Sequence, residues 1–551
     1  MSHETNPEPK KNKNPWVRFL WGIIVAGLFF RTYNLLNRGL IHGDGITHWQ
    51  ALTDAVERGI YLWYHAKPGH IFLLWIFSLA MGLENYVPLI VSMLSGLGTI
   101  AVVYFLGQRL FNSQAGMLAA TILVVCPWHV DYSRVSTSYA NSLFFYTLSI
   151  LWYLKSRNDG DLKQQSSSPH ESLAPGKIWT AVVSGIFLGL AFSCHYNLGL
   201  APLLFLIFEI HLGLRIVFRL KILANKRLSK QTLWYLASRF GTRVFMLFMG
   251  MLLPLVCFNV VHIGLHYLGD VHIPSRPENS AVIFSYAQQI FIQLATSTEE
   301  IWKVPSDFDF WGRLLWNNLG GIACATFIFS TILFSVEWFR SKNIQGLILI
   351  LPLMAYLIFV LNSKYLGAGR SLTLILPIIA LLSAWIIQRF SHKFPVLAIA
   401  IPLVILIENF PILVSELQDN SAKNEVQTYF QEKKITSVIL QGKQTIVLVD
   451  FPSDKIVLSP NLQWTRKQAL KAVNSGQKIK PNFLLARFKP KELQTTYYCK
   501  PIKSWIPRSG RSERGFEIGD VSRNWLLTSK LDESKSIGLF EINDCFVDEE
   551  E

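Results

Sequence analysis

Eleven apolar stretches, most of them near the length of a bilayer crossing, constrain this chain more than any other feature. They fall at about 16–36, 87–108, 114–130, 139–154, 178–195, 199–218, 241–266, 314–336, 344–362, 371–388 and 394–415. A hydrocarbon core about 30 Å thick takes roughly 20 apolar residues in a helix. A helix also satisfies its backbone polar groups within itself, as lipid demands. The expected fold is an all-α polytopic membrane protein of about 11 transmembrane helices, followed by a small α/β or mostly β extramembrane domain. Composition agrees: 51% of residues are hydrophobic and 16% charged, against about 25% charged in soluble domains. Pro254, Pro352, Pro377 and Pro402 fall inside these stretches, which membrane helices tolerate.

The first stretch follows a basic leader, Lys10, Lys11 and Lys13. Its apolar run continues to about Leu36 with no small-residue cleavage site, so it reads as an uncleaved anchor. The formal net charge is +15. Many of the basic residues flank the apolar stretches in short loops, and no aromatic–basic stripe accompanies them, which argues for lipid headgroups and against nucleic acid. Arg109, Lys155, Arg157, a cluster from Arg215 to Arg227, Arg340, Lys342, Arg389 and Lys393 all fall on one side. The positive-inside bias then makes the N-terminus cytoplasmic and the C-terminus extracytoplasmic.

The resulting division is a leader at 1–15, a membrane domain at 16–415 with long outer loops at 37–86 and 267–313, and an extracytoplasmic C-terminal domain at 416–551. Residues 70–82 and 46–58 have the Trp, Tyr and Leu content of interfacial helices. In the tail, 435–440 and 445–450 have strand character. Residues 156–177 have the composition of a linker. Cys126, Cys194, Cys257 and Cys324 lie in or beside apolar stretches as packing residues, whereas Cys499 and Cys545 in the tail could pair in an oxidising compartment.

The first outer loop carries the chemistry. Asp44 stands between Gly43 and Gly45, close to His42 and His48. A carboxylate at the membrane edge can take a proton from a hydroxyl nucleophile. Lys67 precedes Pro68 on the same side, Arg134 lies in the short second outer loop, and Arg370 opens a late apolar stretch. Singly, such cations anchor helix ends by snorkelling. Together they form a positive ring suited to a phosphate. His42, His48, His65 and His70 raise a divalent metal as a possibility, but their spacing fits no HExxH-type signature, so no metal or other cofactor is required. Asp131 is a candidate second acid, with a salt bridge to Arg134 as its expected role. No Walker loop, dinucleotide fingerprint or G-x-S-x-G elbow stands out.

The ordered set of Arg31-Thr-Tyr33, the Asp44 loop, Lys67-Pro68, Leu106-Gly-Gln-Arg-Leu-Phe111, Pro127 to Arg134, and Arg370 to Pro377 resembles the GT-C superfamily of polytopic glycosyltransferases. Within it, the likeness is to the branch of dolichyl-phosphate-mannose–protein mannosyltransferases and the lipid A aminoarabinose transferase. That resemblance implies a sugar linked to a polyprenyl phosphate as donor, and an acceptor hydroxyl on a protein, lipid or polysaccharide outside the cytosol. It implies Asp44 as catalytic base and Lys67, Arg134 and Arg370 as partners of the donor phosphate, with inversion at the sugar carbon. His42, His48, His65 and Asp131 are accessory candidates. The chain departs from the pattern where Gly45 follows Asp44 in place of Glu, and where Ser138, Tyr139 and Ala140 stand where another acid is common. A transporter or flippase of lipid-linked material is the competing class, and a noncatalytic scaffold the third.

Overall fold

The computed structural model describes residues 15–39, 45, 48–49, 52, 67–155, 178–195, 198, 201–224, 230–268, 308–341, 344–362, 372–418, 422–435, 438–441, 456–459, 483–487, 502–506, 508–509, 530–531 and 537–541. The chain enters through α1 (Pro15–Thr32) and a short α2 (Leu35–Arg38). There follow α3 (Pro68–Met81), α4 (Val87–Leu110), α5 (Ser113–Val124), α6 (Pro127–Tyr132) and α7 (Ser138–Lys155). Next come α8 (Ile178–Cys194), α9 (Ala201–Ala224), α10 (Lys230–Leu268), α11 (Phe308–Leu319), α12 (Gly321–Ser341) and α13 (Ile344–Asn362). A 3-10 turn (Leu372–Ile375), α14 (Leu376–Ser391) and α15 (Leu397–Leu417) complete the helical part.

Every one of the expected apolar stretches carries helix. Among the described residues, six helical segments have the length and apolarity to cross a membrane: Arg18–Arg38, Val87–Leu110, Phe240–Val261, Gly321–Arg340, Thr373–Ser391 and Leu397–Leu417. Several of them turn large apolar side chains outward. Ile399, Leu403, Ile407 and Phe410 of α15 are exposed at helical spacing, as are Leu252, Leu253, Val256 and Val260 of α10. Apolar outer faces of this extent suit a hydrocarbon solvent rather than water. The inner layer is α14, whose side chains from Leu376 to Gln388 are all buried against α5, α12 and α15.

Local chemistry sets where helices start and stop. Pro68, Pro88, Pro127 and Pro377 each fall in a first turn, where proline loses no hydrogen bond. Pro377 therefore opens α14 instead of interrupting a span, whereas Pro254, Pro352 and Pro402 do lie inside helices. The apolar stretch at 114–130 divides, because α5 ends at Val124 and Pro127 begins a new short helix. The stretch at 314–336 divides as well. Gly320 has φ +89° and separates α11 from α12. Glu408 of α15 then accepts the Gly321 N–H at 2.6 Å and the Ile322 N–H at 3.0 Å, capping α12 from a neighbouring helix. Residues 68–81 are more deeply set than an interfacial helix would be: His70, Ile71 and Leu74 of α3 are fully buried against neighbouring helices.

α10 is 39 residues long and contains an apolar segment at Phe240–Val261 that begins ten residues after its start. It packs along α8 at backbone distance. A methyl group added at Gly185 would overlap the Leu247 carbonyl, and one at Gly250 would overlap the Val182 carbonyl. Small residues at such crossings let helices approach closely, which is a main source of association energy in lipid.

Beyond α15 lie α16 (Lys423–Glu432) and the strands β1 (Val438–Gln441), β2 (Ile456–Ser459), β3 (Phe483–Arg487), β4 (Lys503–Trp505), β5 (Arg508–Ser509), β6 (Lys530–Leu531) and β7 (Ile537–Glu541). Five of them make a mixed sheet in the order β2-β1-β3-β7-β4, parallel at β2-β1-β3 and antiparallel beyond. Val426 and Phe430 of α16 pack on Val438, Leu485, Trp505 and Leu539. The expected strand at 445–450, Cys499 and Cys545 lie outside the described residues.

Gly250→Val is expected to force α8 and α10 apart and to lower the thermal midpoint of the purified protein in detergent. Gly22→Ala, where nothing lies within 4 Å, is expected to leave that midpoint unchanged. Equal midpoints for the two variants would contradict the close packing.

Candidate functional site

A fully buried set of polar side chains joins the end of α1, the short helix α6 and the end of α15. Arg134 donates through Nη1 to the carbonyls of Phe30 at 3.0 Å and Tyr33 at 2.7 Å, and through Nη2 to the carbonyl of Glu416 at 3.4 Å. Those oxygens belong to helix C-terminal turns, which carry partial negative charge and lack intrahelical partners. One guanidinium thus closes two helix ends at once. Asn34, in the left-handed region at φ 56°, adds a bond from Nδ2 to the Leu417 carbonyl at 3.1 Å.

Arg38 ends α2 and pairs with Asp131 of α6, while Glu416 of α15 lies 3.7 Å from the same nitrogen. Asp131 therefore does not form the expected side-chain bridge with Arg134. Arg134 commits its guanidinium to helix-end carbonyls, and its link to Asp131 is a backbone one, from the Arg134 N–H to the Asp131 carbonyl at 2.8 Å. Arg31 donates to the Gly27 carbonyl at 3.0 Å and lies 2.6 Å from His129 Nδ1. A guanidinium has no acceptor, so His129 Nδ1 accepts and the ring is neutral. His129 sits in α6, outside the six crossing segments. Burial, with the Arg31 cation acting in the same direction, pushes it well below the ordinary imidazole range.

A second set lies between α3, α4 and α7. Ser95 donates to Asn141 Oδ1 at 2.6 Å, which directs Asn141 Nδ2 at His70 Nδ1, 2.7 Å away. His70 Nδ1 is thereby the acceptor, leaving the ring proton on Nε2. His48 stands edge-on to His70 with ring centroids 4.6 Å apart. His195 stacks on Tyr139 at 4.3 Å. Among the described residues no three His, Cys, Asp or Glu side chains converge as metal ligands.

No protein-family model matches the sequence, and no curated protein matches it. Solved structures do match in shape. ArnT from Cupriavidus metallidurans in the apo state superposes with a TM-score of 0.54 at 12% identity, covering 89% of this chain and 96% of ArnT. The same protein bound to undecaprenyl phosphate gives 0.54 at 11% identity over the same shares. The archaeal oligosaccharyltransferase AglB from Archaeoglobus fulgidus, in complex with an inhibitory peptide and a dolichol-phosphate, gives 0.52 at 11% identity, covering 88% of this chain and 70% of AglB. The chain shares the fold of these two proteins.

Within this fold, the candidates read from sequence divide by place. Asp44, His42, His65 and Arg370 lie outside the described residues. Gly45, which follows Asp44, is buried against Ser136, and a side chain there would overlap Ser136 Oγ. The missing acid at position 45 thus has a local cause: a serine from the turn between α6 and α7 already fills that space. Lys67 is buried at the start of α3, and its carbonyl accepts the N–H groups of His70 and Ile71. His48 and His70 meet; Arg134 and Asp131 share one turn but serve different partners. Arg38, His129, Glu416 and Asn141 were missed in the sequence, and Arg31 was noted only as part of the Arg31-Thr-Tyr33 exit from the first apolar stretch. The available signal was charge inside apolar sequence, since an ionised group at membrane depth needs a partner.

Asp131→Ala is expected to destabilise the protein by about 3–5 kcal/mol, because it leaves Arg38 buried with a more distant carboxylate. Thermal unfolding of Asp131→Ala, Arg38→Met and the double variant checks this. The double variant should be less impaired than the sum of the single ones; strict additivity would mean that the pair is not coupled.

Proposed function

We propose that this chain transfers a sugar from a polyprenyl-phosphate donor to an acceptor hydroxyl on the extracytoplasmic side of the membrane, with inversion at the sugar carbon. The observation that carries the proposal is the shared fold over most of the chain with ArnT, whose structure holds undecaprenyl phosphate. A polyprenyl donor is too apolar to leave the bilayer, so its enzyme must meet it there. Its phosphate lies at headgroup depth, where cations are tolerated.

In this reading Asp44 takes the proton of the acceptor hydroxyl, the oxygen attacks the anomeric carbon, and the bond from that carbon to the phosphate oxygen breaks. Polyprenyl phosphate departs with both electrons of that bond. Lys67 and Arg370 offset the charge that develops on it. Arg134 stood with these cations in the sequence; given its carbonyl partners, its share is to fix the rim from which the first loop departs. Two observations support this placing. Arg38 ends α2 just ahead of the Asp44 loop and is held in the buried ionic set. Gly45 is seated against Ser136. The proposed orientation has the N-terminus in the cytoplasm and residues 416–551 outside, as an extracytoplasmic domain on the membrane domain at 16–415.

Transport would call for acids available inside the bundle. Two acids within the helices have other duties: Glu209 lies 3.6 Å from Arg243, and Glu408 caps α12. This weighs toward transfer chemistry.

The test is to incubate the purified protein with a panel of radiolabelled polyprenyl-linked sugars and follow release of polyprenyl phosphate. Asp44→Asn is expected to remain inserted and to turn over about 10²–10⁴-fold more slowly, the range for a lost general base. Near-wild-type turnover by that variant removes Asp44 from the role. Lys67→Ala is expected to raise the KM for the donor; unchanged donor kinetics would exclude it from the phosphate site.

A further inference from the structure

Ser136, Thr137 and Ser138 lie in succession after α6, and Ser138 is the first residue of α7. Their side chains are buried, at 1%, 0% and 0% exposure. None of their hydroxyl oxygens has a hydrogen-bond partner among the described residues. A buried polar atom without a partner is rare in a native protein, and each one forfeits its hydration without return. Three in a row, outside any role in the buried sets above, call for a ligand.

Their location says what kind. α7 runs for 18 residues, so the row stands at the N-terminus of a long helix. There the first backbone N–H groups and the helix dipole favour an anion. The row also borders the loop that carries Asp44. Ser136 Oγ occupies the space of a side chain at position 45, and the Ser136 carbonyl is 3.5 Å from His48 Nδ1.

We propose that Ser136, Thr137 and Ser138, with the N-terminus of α7, form a seat for a phosphate group. A phosphate offers several strong acceptor oxygens, matching a row of hydroxyl donors. The donors here are neutral, and so add nothing to the buried charge. Resting on the glycosyltransferase reading, the occupant is the phosphate of the lipid-linked donor; Ser136 meets Gly45, the neighbour of Asp44 in sequence.

The experiment is thermal unfolding of the purified full-length protein in detergent, with undecaprenyl phosphate, with inorganic phosphate, and with neither. It compares the wild type, S136A/T137V/S138A and the single variant S138A. Without ligand, the variants are expected to unfold at or above the wild-type temperature, because they lose unmet hydroxyls. Undecaprenyl phosphate is expected to raise the wild-type midpoint, with binding about 10- to 100-fold weaker in the triple variant. S138A should show a smaller loss in the same direction, and it serves if the triple variant does not fold. A shift by inorganic phosphate alone, lost in the variants, supports the seat and makes free phosphate its occupant. Full retention of the shift in the variants overturns the proposal, as does a wild type that responds to neither compound. The readout involves no turnover. An intact seat with a fully active Asp44→Asn variant would leave the seat standing and remove the base; the reverse pattern would remove the seat alone.

Discussion

A charge cannot be left alone in a lipid-facing fold, and this constraint organises the end of the bundle where the chemistry is placed. Arg38 meets Asp131 and Glu416, Arg134 meets the carbonyls that close α1 and α15, and Arg31 meets His129. Each contact satisfies a group that would be prohibitively unfavourable unpaired. Together they bind the first membrane helix, the short helix α6 and the last membrane helix into one unit. α2, which precedes the Asp44 segment in sequence, belongs to that unit through Arg38.

The same cluster connects the two parts of the chain. Glu416 and Leu417 are the last residues of α15, and both contribute to it. α16 and the mixed sheet follow within a few residues. Whatever the sheet engages is thus tied by a short segment to the helix end that holds Asn34 and Arg134. The buried cation Arg134 and the unmet hydroxyl row both follow α6, two residues apart. One set holds the scaffold; the other is reserved, in the reading proposed above, for a ligand.

How much was legible in the sequence follows from the range of each interaction. The apolar stretches were, because bilayer thickness imposes a length on every one of them. Their internal breaks were not. Apolar residues resume on both sides of Pro127 and Gly320, and the proline geometry and the Glu408 cap, 87 residues from Gly321, decide that a helix stops there. Asp131 drew attention as an acid near Arg134, three positions on. Its actual partner, Arg38, is separated by 93 residues, and nothing local points to it. Gly45 looked like a lost carboxylate. Its cause is a serine 91 positions later, visible only once the two segments are folded together. For Asp44 and Arg370 the sequence argument still stands by itself.

The length of α10 has a mechanical consequence. At 39 residues and 1.5 Å per residue, it measures about 58 Å, nearly twice a hydrocarbon core. Its apolar segment begins at Phe240, so its opening turns, with Trp234 turned outward, extend beyond that segment like a mast. Locked to α8 at Gly185 and Gly250, that mast resists sliding, and a pull on its tip is delivered to the helix packed beside α7.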